Sequence, residues 1–178
     1  MKHGKHKHGL SRCWNQHPAL IIPVDGIDYE VWGGSCQTPP HESVDIFVGL
    51  DQNMAATSRG YPWREGTQIH FEIKNMGVPR DVEEFKALII YLADQVLVGR
   101  TVYVGCIGGH GRTGLVLAAL YYQLTGDKKA IKIVRETYCG KAVETAEQCN
   151  WLKEHYGMNA YASGAKHKRN YSYGWNKY

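Results

Sequence analysis

Hydrophobic and polar positions alternate in short runs over the first part of the chain, and these runs predict strands. Each is bounded by Gly, Pro, Asp or Asn. The candidate strands are residues 28–32, 44–50 and 68–73. From Asp81 the hydrophobic period changes to three or four residues, and Asp81 and Glu84 have the spacing of a capping box. The pattern therefore predicts one amphipathic helix that begins at Asp81 and ends near Gly99.

A second alternation of strand and helix follows. Residues 101–105 form a β-branched run, and after a glycine-rich turn residues 115–124 are almost wholly apolar. Gly126 is expected to end this helix, and further helices are predicted over residues 127–138 and after Thr145. Strands that alternate with helices predict an α/β fold with a central, mostly parallel twisted sheet flanked by helices.

Length and composition favour one domain. The chain has 178 residues, of which 43% are hydrophobic, enough for one sizeable core and short for two. We expect the domain at residues 10–160, a disordered basic leader rich in His and Lys at residues 1–9, and a basic aromatic tail at residues 161–178. Metal binding by the leader is disfavoured because its lysines repel a cation. The formal charge of +4 is concentrated at these two ends.

The cysteine content and the hydropathy of the chain predict its cellular compartment. The five cysteines are Cys13, Cys36, Cys106, Cys139 and Cys149. An odd number without a C-x-x-C pair predicts neither a disulfide framework nor a zinc site, so we expect a reducing environment. No apolar run approaches the roughly 20 residues that span a bilayer, and the N-terminus lacks a secretory signal. The sequence predicts a cytoplasmic protein without a membrane span.

The turn between residues 101–105 and the apolar helix carries the candidate chemistry. Its glycines allow backbone N–H groups to point inward as an anion-binding nest, and the helix adds its positive N-terminal end. These dipoles and Arg112 should favour the thiolate of Cys106. Arg112 presents a planar fork that suits two phosphoryl oxygens, and Thr113 can donate a hydrogen bond to the sulfur. The predicted phosphate-binding residues are Ile107, Gly108, Gly109, His110, Gly111 and Arg112.

This turn resembles a known signature. It is similar to the loop H-C-x-x-G-x-x-R-S/T of cysteine-based protein-tyrosine and dual-specificity phosphatases, and departs from it at Gly105, where the family usually has His. Residues 73–79 resemble the family's acid loop W-P-D-x-G-V-P, and residues 143–148 resemble its loop Q-T-x-x-Q, which places the hydrolytic water. The resemblance covers roughly residues 44–156. It implies a protein-tyrosine-phosphatase-like fold of the compact dual-specificity kind and a reaction that needs no metal or other cofactor.

The resemblance places Asn75 at the general-acid position, and an amide cannot donate a proton to a leaving oxygen at neutral pH. Asp81 is an alternative acid, although its better-supported role is the helix N-cap. Further candidates with no stronger claim are Asp51, Glu72, His70 and His110. A substrate with a good leaving group, or a substitution that traps bound substrate, would also account for Asn75.

In the third loop, Glu144 replaces the family's first Gln and Gln148 keeps the second. Gln148 has two equally weighted interpretations: a residue near the hydrolytic water, or the N3 residue of a capping box that begins at Thr145.

The leading functional hypothesis is a phosphomonoesterase that acts on phosphotyrosine, or on mixed phosphoprotein substrates, with Cys106 as nucleophile. A pseudo-phosphatase that binds phosphorylated partners is the alternative. A phosphatase for RNA ends or another polyanion is a third possibility, because the tail mixes basic residues 166–169 with Tyr171, Tyr173 and Trp175. A nucleic-acid partner is nevertheless not favoured over a phosphorylated protein or peptide.

Overall fold

The computed structural model describes residues 17–37, 44–52 and 66–159. Within these ranges five strands form one sheet. They are β1 (Leu20–Val24), β2 (Ile27–Ser35), β3 (Ile46–Gly49), β4 (Thr67–His70) and β5 (Val102–Cys106). Their order in the sheet is β1-β2-β5-β3-β4. β1 is antiparallel to β2 and the other three pairings are parallel, which confirms the predicted mostly parallel sheet. The predicted leader and tail lie outside the described residues.

Four helices belong to the described part of the chain: α1 (Val82–Leu97), α2 (Gly111–Thr125), α3 (Ala130–Thr137) and α4 (Ala146–Tyr156). α2 contacts the three other helices as well as β1, β2 and β5. Every residue from Gly111 to Tyr121 is therefore buried, and this explains why residues 115–120 are apolar on all sides of the helix. None of the helices in these ranges is both long and apolar enough to cross a membrane.

The helix boundaries follow the predicted capping residues with two exceptions. Gly126 ends α2 in the left-handed conformation (φ 70°) as predicted. α2 begins at Gly111 rather than at residue 115, because the first helical turn is formed by the glycine-rich motif itself. α3 begins at Ala130 rather than at residue 127; the side chain of Asp127 accepts a hydrogen bond from the Lys129 backbone N–H (2.8 Å) in the turn before it.

β1 is an element that the sequence interpretation missed. Pro23 lies within β1, which is an edge strand of the described sheet, where the missing N–H of proline is tolerated. Leu20 and Ile22 are fully buried whereas Ile21 is 41% exposed, which is the alternation of a half-buried strand. β1 and β2 are joined by a two-residue turn at Asp25 and Gly26, both with positive φ.

The sheet has apolar residues on both faces. The large core lies between one face and the helices, while Cys36, Val44, Phe47 and Tyr103 form a smaller cluster apart from it. Phe47 and Tyr103 are register partners in β3 and β5, and their stacked rings have centroids 5.5 Å apart. Burial on both faces is usual for parallel strands.

Candidate active site

The carboxyl ends of the parallel strands meet at one edge of the sheet, where ligands usually bind in open α/β folds. Cys106 is the last residue of β5, and Arg112 and Thr113 lie in the first turn of α2. Thr113 Oγ1 accepts a hydrogen bond from the Cys106 backbone N–H at 3.0 Å. The same hydroxyl donates to Cys106 Sγ at 3.2 Å. The predicted contact between hydroxyl and sulfur is therefore present.

Two other segments accept hydrogen bonds from the side chain of Arg112. Its Nη1 donates to Asp51 Oδ2 and to the backbone oxygen of Ile73, each at 3.0 Å. Arg112 and Asp51 are 4% and 5% exposed, so this is a buried ion pair with strong hydrogen bonds. The segment that resembles the family's acid loop, residues 73–79, is called the acid-like loop below, and the glycine-rich segment of residues 106–112 is called the phosphate-like loop. Asp51 follows β3 and Ile73 begins the acid-like loop, so one guanidinium group joins both segments to the phosphate-like loop.

The loop between Cys106 and Arg112 needs glycine for steric reasons. Gly109 has φ +70°, and a Cβ there would lie 2.6 Å from the carbonyl carbon of Gly34. The hydroxyl of buried Tyr138 donates to the Gly109 carbonyl at 2.7 Å. Tyr138 thus supports the loop from the end of α3. Sequence reasoning missed it, because a tyrosine 29 residues away carries no local signal.

His110 lies at the N-cap position of α2 with its Nδ1 3.3 Å from Cys139 Sγ. Burial and the nearby charge of Lys141 lower the pKa of His110, while Glu144 opposes this. The imidazole is therefore expected to be neutral at neutral pH.

The acid-like loop is anchored by the segment that resembles the family's third loop. Gln148 Nε2 donates to the backbone oxygen of Gly77 at 3.0 Å, and Thr145 Oγ1 donates to that of Met76 at 3.3 Å. Asn75 is exposed and lies in the turn immediately before Met76 and Gly77. The structure therefore brings the three motifs together, as the resemblance implies.

The capping-box interpretation of Gln148 is confirmed, and the same side chain makes a second contact. Its Oε1 accepts from the Thr145 backbone N–H at 3.2 Å and its own N–H is capped by Thr145 Oγ1 at 3.1 Å, so the predicted capping box is formed. Its Nε2 meanwhile contacts Gly77. One side chain thus fixes both the start of α4 and the acid-like loop.

Glu144 and Gln148 also face the phosphate-like loop. A Cβ built on Gly111 would lie 3.1 Å from Gln148 Oε1 and 3.2 Å from Glu144 Oε2. Glycine at position 111 therefore permits a close approach between the start of α2 and these two side chains. A role for either near a hydrolytic water stays a prediction.

Asp81 caps α1. Its Oδ1 accepts the backbone N–H of Glu84 at 2.9 Å in an exposed position, which is the predicted N-cap contact. This contact explains the residue without any catalytic role, and its service as the acid stays a prediction that the geometry does not favour.

Some known proteins are similar to this chain in amino-acid sequence. No family model matches the chain. Two uncharacterized proteins of Methanocaldococcus jannaschii are 42% identical to it over 95 and 98 residues, which are 53% and 55% of this chain. The matches cover 63% and 60% of those relatives, so the chain spans about three fifths of their length. A protein of Invertebrate iridescent virus 6, provisionally named a tyrosine phosphatase, is 29% identical over 123 residues, which are 65% of this chain and 45% of that protein.

Solved structures share the fold. The crystal structure of Tk-PTP in its active form has a TM-score of 0.54 and 26% identity, and the match covers 65% of this chain and 80% of that one. Human DUSP28 has a TM-score of 0.60 at 14% identity, over 71% of this chain and 91% of that one. The described part of the chain has the fold of the cysteine-based protein-tyrosine phosphatase superfamily.

One departure from the signature of this superfamily has a steric cause. A Cβ on Gly105 would lie 2.9 Å from the backbone N of Cys36 and 3.1 Å from Tyr103 Cε1. The Cys36 N–H is itself bonded to the Cys106 carbonyl at 2.7 Å, so that backbone cannot easily move away. The position leaves no room for the histidine that the superfamily usually has there.

Cys36 lies close to the superfamily's nucleophile position but is held as a thiol. Burial, together with the charges of Asp51 and Cys106, raises the pKa of Cys36 to about 12. A thiol with that pKa is protonated at neutral pH and is a poor nucleophile. Cys36 is therefore not expected to act as a nucleophile.

Proposed function

We propose that the protein is a cysteine-dependent phosphomonoesterase that removes phosphate from phosphotyrosine in proteins or peptides. The proposal extends to phosphoserine and phosphothreonine as slower substrates. The observation that carries it is the hydrogen bond from Thr113 Oγ1 to Cys106 Sγ (3.2 Å), at the start of a glycine loop that ends in buried Arg112. A sulfur, an anion nest and a fixed guanidinium in one turn are the parts that phosphoryl transfer through sulfur requires.

In the proposed reaction the Cys106 thiolate attacks phosphorus in line with the leaving oxygen. The S–P bond forms, the P–O bond to the substrate breaks, and that oxygen leaves with the bonding electron pair. Water then attacks phosphorus and loses a proton to solvent, the S–P bond breaks with its electrons returning to sulfur, and inorganic phosphate is released. The hydroxyl of Thr113 stabilises the departing sulfur, since it already donates to Sγ.

Arg112 holds the phosphoryl oxygens in this scheme. Its Nη1 is committed to Asp51 and Ile73, which fixes the plane of the guanidinium. We assign the Nε and Nη2 edge of the fork to two equatorial oxygens, with the loop N–H groups around them. Asp51 is therefore a positioning residue.

The preference for phosphotyrosine follows from Asn75. A phenol has a pKa near 10 and departs unaided far better than an aliphatic alcohol. An amide at the acid position therefore reduces turnover of serine and threonine esters more than that of tyrosine esters.

Turnover of p-nitrophenyl phosphate tests the proposal. The wild-type protein should hydrolyse it, vanadate should inhibit it, and Cys106→Ser should abolish it. Cys149→Ser, which changes a buried cysteine outside the loop, should retain it. A wild-type protein that is inert from acidic to basic pH would overturn the proposal.

Restoring a carboxyl group at position 75 tests the assignment of the acid position. With a phosphotyrosine peptide as substrate, Asn75→Asp should raise kcat by about 100-fold or more and add a basic limb to the pH profile, because a general acid contributes about 100- to 10,000-fold. Asn150→Asp makes the same chemical change at an exposed position of α4 and should leave kcat unchanged. An unchanged rate in Asn75→Asp would place the acid elsewhere.

A phosphate-binding module without turnover is the second candidate, and the amide of Asn75 favours it. Single-turnover detection of phosphocysteine alongside phosphopeptide affinity separates the two: binding without a covalent intermediate supports the module. The RNA-end alternative depends on a tail outside the described residues, and salt-dependent RNA binding lost on truncation after Gly164 would revive it. A cytoplasmic location stays a prediction.

A further inference from the structure

Three metal-ligand side chains from distant segments meet beside the phosphate-like loop. His17 precedes β1, His110 lies within the loop, and Cys139 follows α3. His17 Nε2 is 3.4 Å from His110 Nδ1, which is 3.3 Å from Cys139 Sγ. The three candidate ligand atoms all lie within 4.8 Å of one another.

Two of these three separations are close to those of a tetrahedral metal site, and the third, between His17 and Cys139, is within 4.8 Å. With bonds of about 2.0 Å to nitrogen and about 2.3 Å to sulfur, neighbouring ligand atoms of tetrahedral zinc lie about 3.3–3.6 Å apart. The two measured contacts, 3.4 and 3.3 Å, are close to that range. Two imidazoles and a thiolate are donors that favour zinc and related divalent ions over magnesium or calcium.

The protonation states also suit a metal. Burial, together with the charge of His110, lowers the pKa of His17 to about 4, so its ring is neutral at neutral pH. Metal ligation needs neutral imidazole. Among the described residues, His17 Nδ1 is buried without a hydrogen-bond partner, whereas Nε2 faces His110 Nδ1 at 3.4 Å; the tautomer that a metal selects carries the proton on Nδ1. Nε2 can therefore present its lone pair to a metal.

The ring of His17 is held in place without a metal. It stacks on Tyr138 with centroids 4.7 Å apart and planes 17° from parallel. Tyr138 in turn bonds to the Gly109 carbonyl. The cluster is thus attached to the phosphate-like loop through both His110 and Tyr138.

We propose that His17, His110 and Cys139 form a binding site for a zinc-class divalent metal on the flank of the phosphate-like loop. On binding, the Cys139 thiol gives its proton to solvent and a sulfur–metal bond forms. Water completes the four ligands. The metal links the segment before β1 to the loop and to the end of α3. It takes no part in the reaction at Cys106, for which no metal is expected. No local pattern in the sequence indicates this site, because neighbouring ligands are 93 and 29 residues apart.

Cobalt titration of the full chain tests the site without relying on activity. The Cys106→Ser background removes the reactive thiol, and a chelator first removes bound metal. Co²⁺ should bind at one equivalent with a thiolate-to-cobalt charge-transfer band, and Zn²⁺ should displace it. Cys139→Ser should abolish the band, and His17→Ala should weaken binding at least about tenfold.

Controls separate this site from other ligands. Cys149→Ser and His155→Ala should keep both band and affinity, with circular dichroism confirming that each variant is folded. Replacement of the leader histidines by alanine should also leave the band intact; these are His3, His6 and His8. The proposal is overturned by a band that persists in Cys139→Ser, by a band that disappears with the leader histidines, or by the absence of saturable binding. A protein inert toward aryl phosphate could still show the band, so failure of the proposed function is distinguishable from failure of this site.

Discussion

Replacing Gly105 tests the steric account of the departure from the superfamily signature. A new Cβ at this position would lie 2.9 Å from Cys36 N, 3.0 Å from Cys36 Cα and 3.1 Å from Tyr103 Cε1. The Cys36 backbone is fixed by its hydrogen bond to Cys106, and Tyr103 by the bond of its hydroxyl to the Ser35 carbonyl (2.8 Å). Neither neighbour can yield without breaking a buried contact.

The magnitude follows from two opposing effects. Overpacking by one methyl group costs about 1–3 kcal/mol. Replacing glycine by alanine where the backbone accepts it gains about 0.4–1 kcal/mol through the unfolded state. Gly105→Ala should therefore lower the free energy of unfolding by about 0.5–2 kcal/mol. Gly105→His should lower it further, although it restores the superfamily's consensus residue.

Urea denaturation measures the effect as a lower midpoint with an unchanged m-value. Gly140→Ala is the matched control, because a Cβ at that position has no neighbour within 4 Å. It should be neutral or slightly stabilising. If Gly105→Ala proves as stable as Gly140→Ala, the packing of Cys36 and Tyr103 does not explain the missing histidine.

Two further predictions concern buried charge. Asp51→Ala should lower the free energy of unfolding by about 3 kcal/mol, because it leaves Arg112 buried and unpaired; urea denaturation of this variant beside exposed Gln52→Ala measures it, and equal midpoints would contradict it. His17 has a folded-state pKa of about 4 against an ordinary value of 6.5, so between these pH values the unfolded chain binds a proton that the folded chain does not, and stability falls as pH falls. The shift corresponds to a loss of about 3 kcal/mol in the free energy of unfolding, which partial exposure of the ring reduces to about 1–2 kcal/mol. Urea midpoints measured from pH 7 to pH 4 should therefore fall less steeply in His17→Gln than in the wild-type protein. Parallel curves would refute the assignment of this pH dependence to His17.

Local signals predicted most of the fold. Helix α1 and its cap at Asp81 followed from periodicity and a short capping pattern, as did the capping box at Thr145 and Gln148. These features depend on residues within one or two helical turns of each other, so local sequence patterns are sufficient to predict them. β1 escaped detection because the tolerance of Pro23 depends on its place at the edge of the sheet, which only tertiary structure reveals.

The residues that hold the phosphate-like loop in place were harder to predict than the helices and their caps. Asp51 and Tyr138 contact the phosphate-like loop from 61 and 29 residues away along the chain. In the sequence, Asp51 is one of several acidic residues without an assigned role. Its position just after a buried strand is the signal that could have indicated a place in the site. Tyr138 carried no comparable signal, because its role depends on the packing of α3 beside the loop.

The contacts around Asn75 bear on the choice between a slow enzyme and a binding module. The acid-like loop is held at one end by Arg112, through the Ile73 carbonyl, and at the other by Gln148, through the Gly77 carbonyl. Both anchors come from segments that also contact or form the phosphate-like loop, so the turn that carries Asn75 keeps its place although its side chain cannot donate a proton at neutral pH. A module that only binds phosphate has no need of this attachment, whereas an enzyme with a weakened acid retains it. The attachment therefore supports the proposal of turnover, and it is the reason to expect that a carboxyl group introduced at position 75 would act without further change.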